Sequence, residues 1–258
     1  MGGAPAASTH TPVNALTEAD LGAALREGWA DFGEKRGDLI FAALIYPAIG
    51  LLAAFAANGG PMTHLLFPMA AGFALLGPVA ATGFYELARR REQGLESGWR
   101  HFGDLLKSPQ IDQIGIVAAI LIALFAGWMV AAGLIYAAFF GLNEPASLGS
   151  FIREVLTSAR GWGMIVVGNA VGFLFALAAL CLSITSLPML VDRKVSAGTA
   201  LRTSIETVRR NPAVALRWGL TVAALLVIGS IPAFLGLAVV LPWLGYATWH
   251  LYRKAVPA

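Results

Sequence analysis

His10, His64, His101 and His250, the lone Cys181, and Glu86 with Arg89 and Arg90 beyond it are the residues of this chain best suited to ligation or proton transfer. Haem or metal ligation inside a membrane needs histidines that face one another at similar depth. His10 lies in an N-terminal tail, His64 at one boundary of an apolar run, His250 near the end of another, and His101 in a polar loop. They cannot meet, so no cofactor or metal is expected. Cys181 has no partner for a disulfide, and neither CxxC nor Cys/His zinc spacing occurs. Glu86 precedes Arg89 and Arg90 by three and four residues, the spacing of a local helical ion pair, so a structural role is favoured over proton relay.

Asn169 is the most polar residue well inside an apolar run. It sits in Gly168-Asn-Ala-Val-Gly172, a GxxxG spacing that lets helices approach closely. Gly168, Asn169 and Gly172 are therefore candidates for helix packing, with an interhelical hydrogen bond from Asn169. A substrate or ion contact is the functional alternative. There is no phosphate-binding glycine loop, HExxH or nucleophile elbow, and no catalytic constellation is visible. Pumps place ionisable groups at membrane depth. None of the six expected spans has an Asp, Glu, Lys or Arg near its centre.

The elements that must position these residues follow from composition. Of 258 residues 57% are apolar and only 13% charged, against about 25% charged in a soluble domain. So small a water-soluble fold could not hide that surface. The pattern predicts an all-α, polytopic transmembrane helix bundle. The first basic residue is Arg26 and the first long apolar run begins near Leu39, so no secretory signal is expected.

Residues 1–16, without charge, are expected to form a disordered tail. Thr17 looks like an N-cap, and Leu21, Leu25, Trp29 and Phe32 mark one face of an amphipathic helix over 17–36. That helix could lie in the membrane interface or pack on its own protein. Residues 37–258 form a single transmembrane domain, with spans near 39–57, 65–85, 114–140, 162–187, 214–231 and 234–252.

The last apolar run, Trp218–Leu251, would be about 51 Å long as one helix, against a hydrocarbon core of about 30 Å. Gly229, Ser230, Pro232 and Gly236 supply turn chemistry at its middle. Lys and Arg collect in cytoplasmic loops. Six spans in three hairpins, both termini cytoplasmic, put 16 of 18 basic residues inside. Five spans would strand Arg253 and Lys254 outside. Trp243, Tyr246, Trp249 and Tyr252 suit an interfacial aromatic belt.

Leu87-Ala-Arg-Arg-Arg-Glu-Gln-Gly94 is echoed by Leu190-Val-Asp-Arg-Lys-Val-Ser-Ala-Gly198, and Lys107-Ser-Pro109 by Arg210-Asn-Pro212, at an offset of 103–104 residues. Three further stripes predict short amphipathic helices, interfacial ones lying on the bilayer surface or, as the alternative, caps over the helix bundle. They are Leu95, Trp99, Phe102 and Leu106; Leu201, Ile205 and Val208; and Leu148, Phe151, Ile152, Val155 and Leu156. The basic loops have few aromatics and follow the topology rule, so no nucleic acid is expected.

The run Pro68-Met-Ala-Ala-Gly-Phe-Ala-Leu-Leu-Gly-Pro-Val-Ala-Ala-Thr-Gly-Phe-Tyr-Glu-Leu-Ala-Arg-Arg-Arg-Glu92 resembles the hallmark of a bacterial family of integral membrane proteins, domain of unknown function 2189. Gly28-Trp-Ala-Asp-Phe32 and Pro242-Trp-Leu-Gly-Tyr-Ala-Thr-Trp-His-Leu-Tyr-Arg253 are similar to it as well. The resemblance implies a bacterial inner-membrane protein and carries over no catalytic residues. Some relatives bear the label of cytochrome c oxidase subunit I. That subunit needs intramembrane haem and copper histidines which this chain lacks, so only a respiratory association is taken from it. The expected function is a non-enzymatic accessory or assembly component. Its partners are the lipid bilayer and other membrane proteins, a respiratory complex among the candidates. A small-solute transporter or channel is the alternative.

Overall fold

The computed structural model describes residues 11–34, 65–142, 145, 147–232 and 234–257, and the regular structure among them is helical. The expected first span at 39–57 lies outside these residues, as do His10, His64, Lys35, Arg36 and Pro47. In chain order come α1 (Glu18–Glu34), α2 (Leu66–Ala80), α3 (Thr82–Glu92), a 3₁₀ helix (Trp99–Lys107) and α4 (Ile111–Phe140). After these come α5 (Leu148–Thr157), α6 (Ala159–Ser183), α7 (Ser186–Asp192), α8 (Ala197–Arg210), α9 (Pro212–Ser230) and α10 (Leu237–Ala255).

Among the described residues four stretches are long and apolar enough to cross a membrane: Phe67–Glu92, Ile111–Phe140, Ala159–Asp192 and Pro212–Ser230. The protein is a multi-pass helical membrane protein. Their outward faces carry exposed apolar side chains such as Val130, Leu134, Val166, Leu174, Leu220 and Val227. In water such a surface would be unfavourable; lipid solvates it.

Two of these stretches are broken near one end. Pro188 has no N–H to give the Ile184 carbonyl, and the helix interrupts there, separating α6 from α7. In the other, a turn at Ala81 separates α2 from α3, and the Thr82 hydroxyl donates to the Val79 carbonyl (2.6 Å). Beyond the breaks, α3 and α7 leave the apolar slab and are buried nearly all round by protein. They form a polar layer with α10, α1, α8 and the 3₁₀ helix.

The apolar run over 218–251 is two helices, joined by a turn at 231–236 in which Phe234 takes a left-handed φ of 65°. The far ends of both meet Asn14. Asn14 N donates to the Ala255 carbonyl (2.8 Å) and its Nδ2 to Lys254 O (2.9 Å), while Asn211 Nδ2 donates to Asn14 O (3.1 Å). Residues 11–16, part of the expected disordered tail, are thus held in place, with Val13 and Leu16 buried. They lie on the same side of the slab as the end of α10.

α1 carries a reciprocal cap: Asp20 N donates to Thr17 Oγ1 (3.3 Å) and Thr17 N to Asp20 Oδ2 (2.8 Å). Of the two placements open to this helix, the structure shows packing on its own protein. Gly28 lies so close to α10 that an added Cβ would sit 2.4 Å from Ala247 N, and Trp29 meets Trp243 edge-on at 5.1 Å. The expected aromatic belt on α10 is corrected: Tyr246, Trp249 and Tyr252 are buried against protein.

Two amphipathic faces are also corrected. In the loop after α3 the packed residues are Phe102 and Leu105, while Leu106 is 75% exposed. The segment is 3₁₀, with three residues per turn, so its face recurs every third residue. On α8 the buried face is Ala197, Ala200, Thr203, Ser204 and Thr207, small and hydroxylated; of the expected stripe Leu201 and Val208 pack at its edge and Ile205 points outward. The stripe on α5 is partly used: Phe151 packs on Tyr136 and Phe140, while Ile152 and Leu156 stay exposed.

The sequence echo has a structural counterpart. α2–α3–3₁₀–α4 and α6–α7–α8–α9 share one order, and α2 ends at Ala80 as α6 ends at Ser183, 103 residues later. The inner helices α3, α7 and α10 touch one another, and each also carries a surface helix: the 3₁₀ helix, α8 and α1 respectively. Leu87, Leu190 and Leu251, each two or three residues ahead of a basic pair, are fully buried in the same core.

Candidate functional site

Polar chemistry in the described residues concentrates where the three inner helices end. α3 ends in Arg89, Arg90, Arg91 and Glu92, α7 in Asp192 followed by Arg193, and α10 in Arg253 and Lys254. Basic residues suit a helix C-terminus, where the dipole is negative. Packing three such ends together would repel without carboxylates between them.

Arg253 is the centre of that compensation. Its Nε donates to Glu92 Oε2 (3.0 Å) and its Nη1 to Asp192 Oδ2 (2.9 Å), so one guanidinium joins all three inner helices. Its plane lies over the rings of Trp249 (5.1 Å) and Tyr252 (5.8 Å). Trp249 Nε1 also donates to Glu92 Oε2 (3.2 Å), and the Tyr252 hydroxyl to Asp192 Oδ2 (2.6 Å). Arg193 pairs with Asp192 at 3.3 Å and donates to the Pro257 carbonyl.

A second cluster fastens α1. His250 Nε2 is 2.8 Å from Asp31 Oδ2, and its Nδ1 is 3.3 Å from Glu27 Oε2. Lys254 reaches Glu27 at 3.0 Å, while Arg91 of α3 reaches Asp31 at 3.2 Å and also pairs with Glu34. A third cluster joins α3 to the 3₁₀ helix. Glu86 is 5% exposed and held in a fork by Arg89, Nε at 2.8 Å and Nη2 at 2.7 Å. Arg90 lies 3.9 Å from Glu86 and 3.4 Å from Asp104, and donates to the Glu96 carbonyl (2.7 Å). Arg100 and His101 hold Glu96 and Asp104. Hydrogen bonding lowers both carboxyls below their ordinary range, Glu96 chiefly through Arg100 and Asp104 chiefly through His101.

Glu86, Arg89 and Arg90 are thus brought together in one buried cluster. Gly168, Asn169 and Gly172 lie elsewhere, on α6 within the slab, and do not form a common seam. Gly172 faces Trp128 of α4, where an added Cβ would sit 3.2 Å from the indole, but nothing lies within 4 Å of the corresponding point at Gly168. Among the described residues the bond from Asn169 runs within its own helix, its Nδ2 donating to the Ile165 carbonyl (2.8 Å), and the side chain is exposed. At the break, Ser183 Oγ likewise donates to the Ala179 carbonyl of its own helix (2.7 Å), whereas Thr185 bonds to α8: its backbone N–H donates to Ser204 Oγ (3.3 Å) and its hydroxyl lies 3.4 Å from that of Thr207.

Sequence reasoning missed the role of Arg253, which it used only as a topological charge. The signal was present. Leu251-Tyr-Arg-Lys254 repeats the pattern of Leu87-Ala-Arg-Arg90 and Leu190-Val-Asp-Arg-Lys194, a third echo.

This arrangement binds charge to charge within the protein and holds helices in register. No curated protein matches this chain, and no solved structure does. Residues 66–192, from α2 through α7, match the model of a family described as predicted integral membrane protein (DUF2189).

Proposed function

We propose that this chain is a non-enzymatic accessory or assembly component of a bacterial inner membrane, acting through protein partners within the bilayer. The observation that carries this is Asn169. It stands ten residues into α6, about 15 Å along the helix and so near the middle of a hydrocarbon core of about 30 Å. Its amide is exposed on the lipid-facing side, and the bond to Ile165 uses only one of its two N–H groups. An amide facing hydrocarbon is unfavourable unless another helix offers polar atoms. A transmembrane helix bearing an amide or hydroxyl would satisfy it, and the open space at Gly168 beside it allows close approach.

The ionic clusters support the same reading, since they are spent on holding the protein's own helices together. A respiratory complex is the partner class to which the family resemblance points. A transporter is less well supported, because Asn169 faces outward from the described helices.

The topology proposed with this function is six spans with both termini cytoplasmic. Glu34 ends in the polar layer, whereas Pro68 lies far up α4, its carbonyl accepting from Trp128 Nε1 (2.7 Å). The polar layer holds most of the basic residues, which favours the cytoplasmic side.

Purification from native membranes in lipid nanodiscs tests the function. The wild-type protein should carry a stoichiometric second membrane component that Asn169→Leu loses. A wild-type protein that is monomeric and alone from every growth condition would overturn the proposal.

A further inference from the structure

Most cations of the polar layer are paired; the unpaired ones gather on one segment, with Arg26 and Lys107 standing singly elsewhere. Arg89, Arg90, Arg91, Arg193, Arg253 and Lys254 are matched with named carboxylates. Lys194, Arg202, Arg209 and Arg210, on and just before α8, are exposed and make no ion pair among the described residues. Glu206 is the only acidic residue on α8. Four cations therefore stand against one carboxylate on a single short segment.

Their spacing is ordered. Gly198, Arg202, Ile205 and Arg209 succeed one another at four, three and four residues, which puts them on one face. The opposite face, Ala197, Ala200, Ser204 and Thr207, is the buried one. The outward face thus has arginines with an exposed apolar side chain, Ile205, between them. The next helix fixes its level. α8 ends at Arg210 and α9 begins at Pro212, and the exposed face of α9 turns apolar at Leu216 and Leu220. The cations therefore border a lipid-facing surface. In the corresponding surface helix of the other repeat, Arg100 is neutralised by Glu96 and only Lys107 is exposed without an ion pair among the described residues, so free charge is concentrated on α8.

We infer that the outward face of α8 binds the headgroups of anionic phospholipids in the leaflet next to the polar layer, with Arg202 and Arg209 of that face and Arg210 at the helix end on the phosphates and Ile205 inserted among the acyl chains. Guanidinium groups pair with phosphate in a bidentate manner. An apolar residue within the basic face and an apolar wall above it suit a lipid better than a soluble anion.

The test uses the full chain reconstituted in vesicles of phosphatidylglycerol and phosphatidylcholine, with trace spin-labelled lipid of either kind. Electron paramagnetic resonance reads the immobilised fraction. Wild type should select phosphatidylglycerol. Arg202→Gln with Arg209→Gln should weaken that selectivity by about fivefold for each cation removed, at an unchanged unfolding temperature. Arg210→Gln alone should weaken it by one step if the double variant does not fold. Arg100→Gln should leave it unchanged, and raising salt should reduce it in the wild type. Equal selectivity in wild type and variants would overturn the inference. So would full displacement of the labelled lipid by millimolar inorganic phosphate, which would show a site for a soluble anion.

Discussion

Glu86 carries a charge that its surroundings cannot leave unpaired. It is buried, and Arg89 grips both its oxygens. Glu86→Ala would leave Arg89 without its carboxylate at a helix junction, while Arg90 keeps Asp104, and breaking a buried pair costs on the order of 3 kcal/mol. Thermal unfolding in detergent should show a clearly lowered midpoint, with Glu86→Gln lying between the two because an amide can still accept. Arg253→Gln should cost roughly 2–3 kcal/mol, since it removes charged hydrogen bonds to two helices at once. Combined with Asp192→Asn, the two losses should add to less than their sum, as for groups in one network. Pairings at helical spacing, such as Glu86 with Arg89, are legible in a sequence. Arg253 with Glu92 and Asp192 is not, because 161 and 61 residues separate the partners.

At the scale of elements, pH and packing make separate predictions. Glu96 and Asp104 have lowered pKa values, so the folded state holds fewer protons than the unfolded state across the carboxylate range. Their contribution to holding the 3₁₀ helix is present above that range and is lost as pH falls through their lowered values. Amide exchange over 99–107, corrected for its intrinsic rate, should lose protection as pH falls below about 4, before α4 does. The docking of α1 rests on contact: Gly28→Val would push a side chain into the backbone of α10 at Ala247. Exchange over 18–34 should rise sharply, while α4 and α6 keep their protection. Helix positions were legible from apolar periodicity, and the α9–α10 break from Gly229, Pro232 and Gly236. Faces were less so. A heptad-like stripe through Leu106 failed because that segment winds as 3₁₀. On α8 the packed face is Ala, Ser and Thr, which hydrophobicity does not mark.

At the scale of the molecule, three inner helices with three surface helices make one hub beneath the apolar slab. α1 completes the third pair, although it is the first helix of the chain and α10 the last. Reporter fusions at Pro145 should mark the side opposite the hub, and fusions at Ala258 the side of the hub. If Ala258 reported the same side as Pro145, the turn at 231–236 would not return the chain. The hub was invisible in sequence because its members are scattered from α1 to α10. The candidate site was legible only in part: Asn169 stood out as polar, but its outward aim depends on which face of α6 meets α4.

That outward aim carries the proposal of a protein partner, and a photo-cross-linking residue placed at 169 in living cells tests it directly. The expected result is one discrete protein adduct, seen also from position 173 on the exposed side of α6 and absent from position 134 on α4. Lipid adducts alone from position 169 would contradict it.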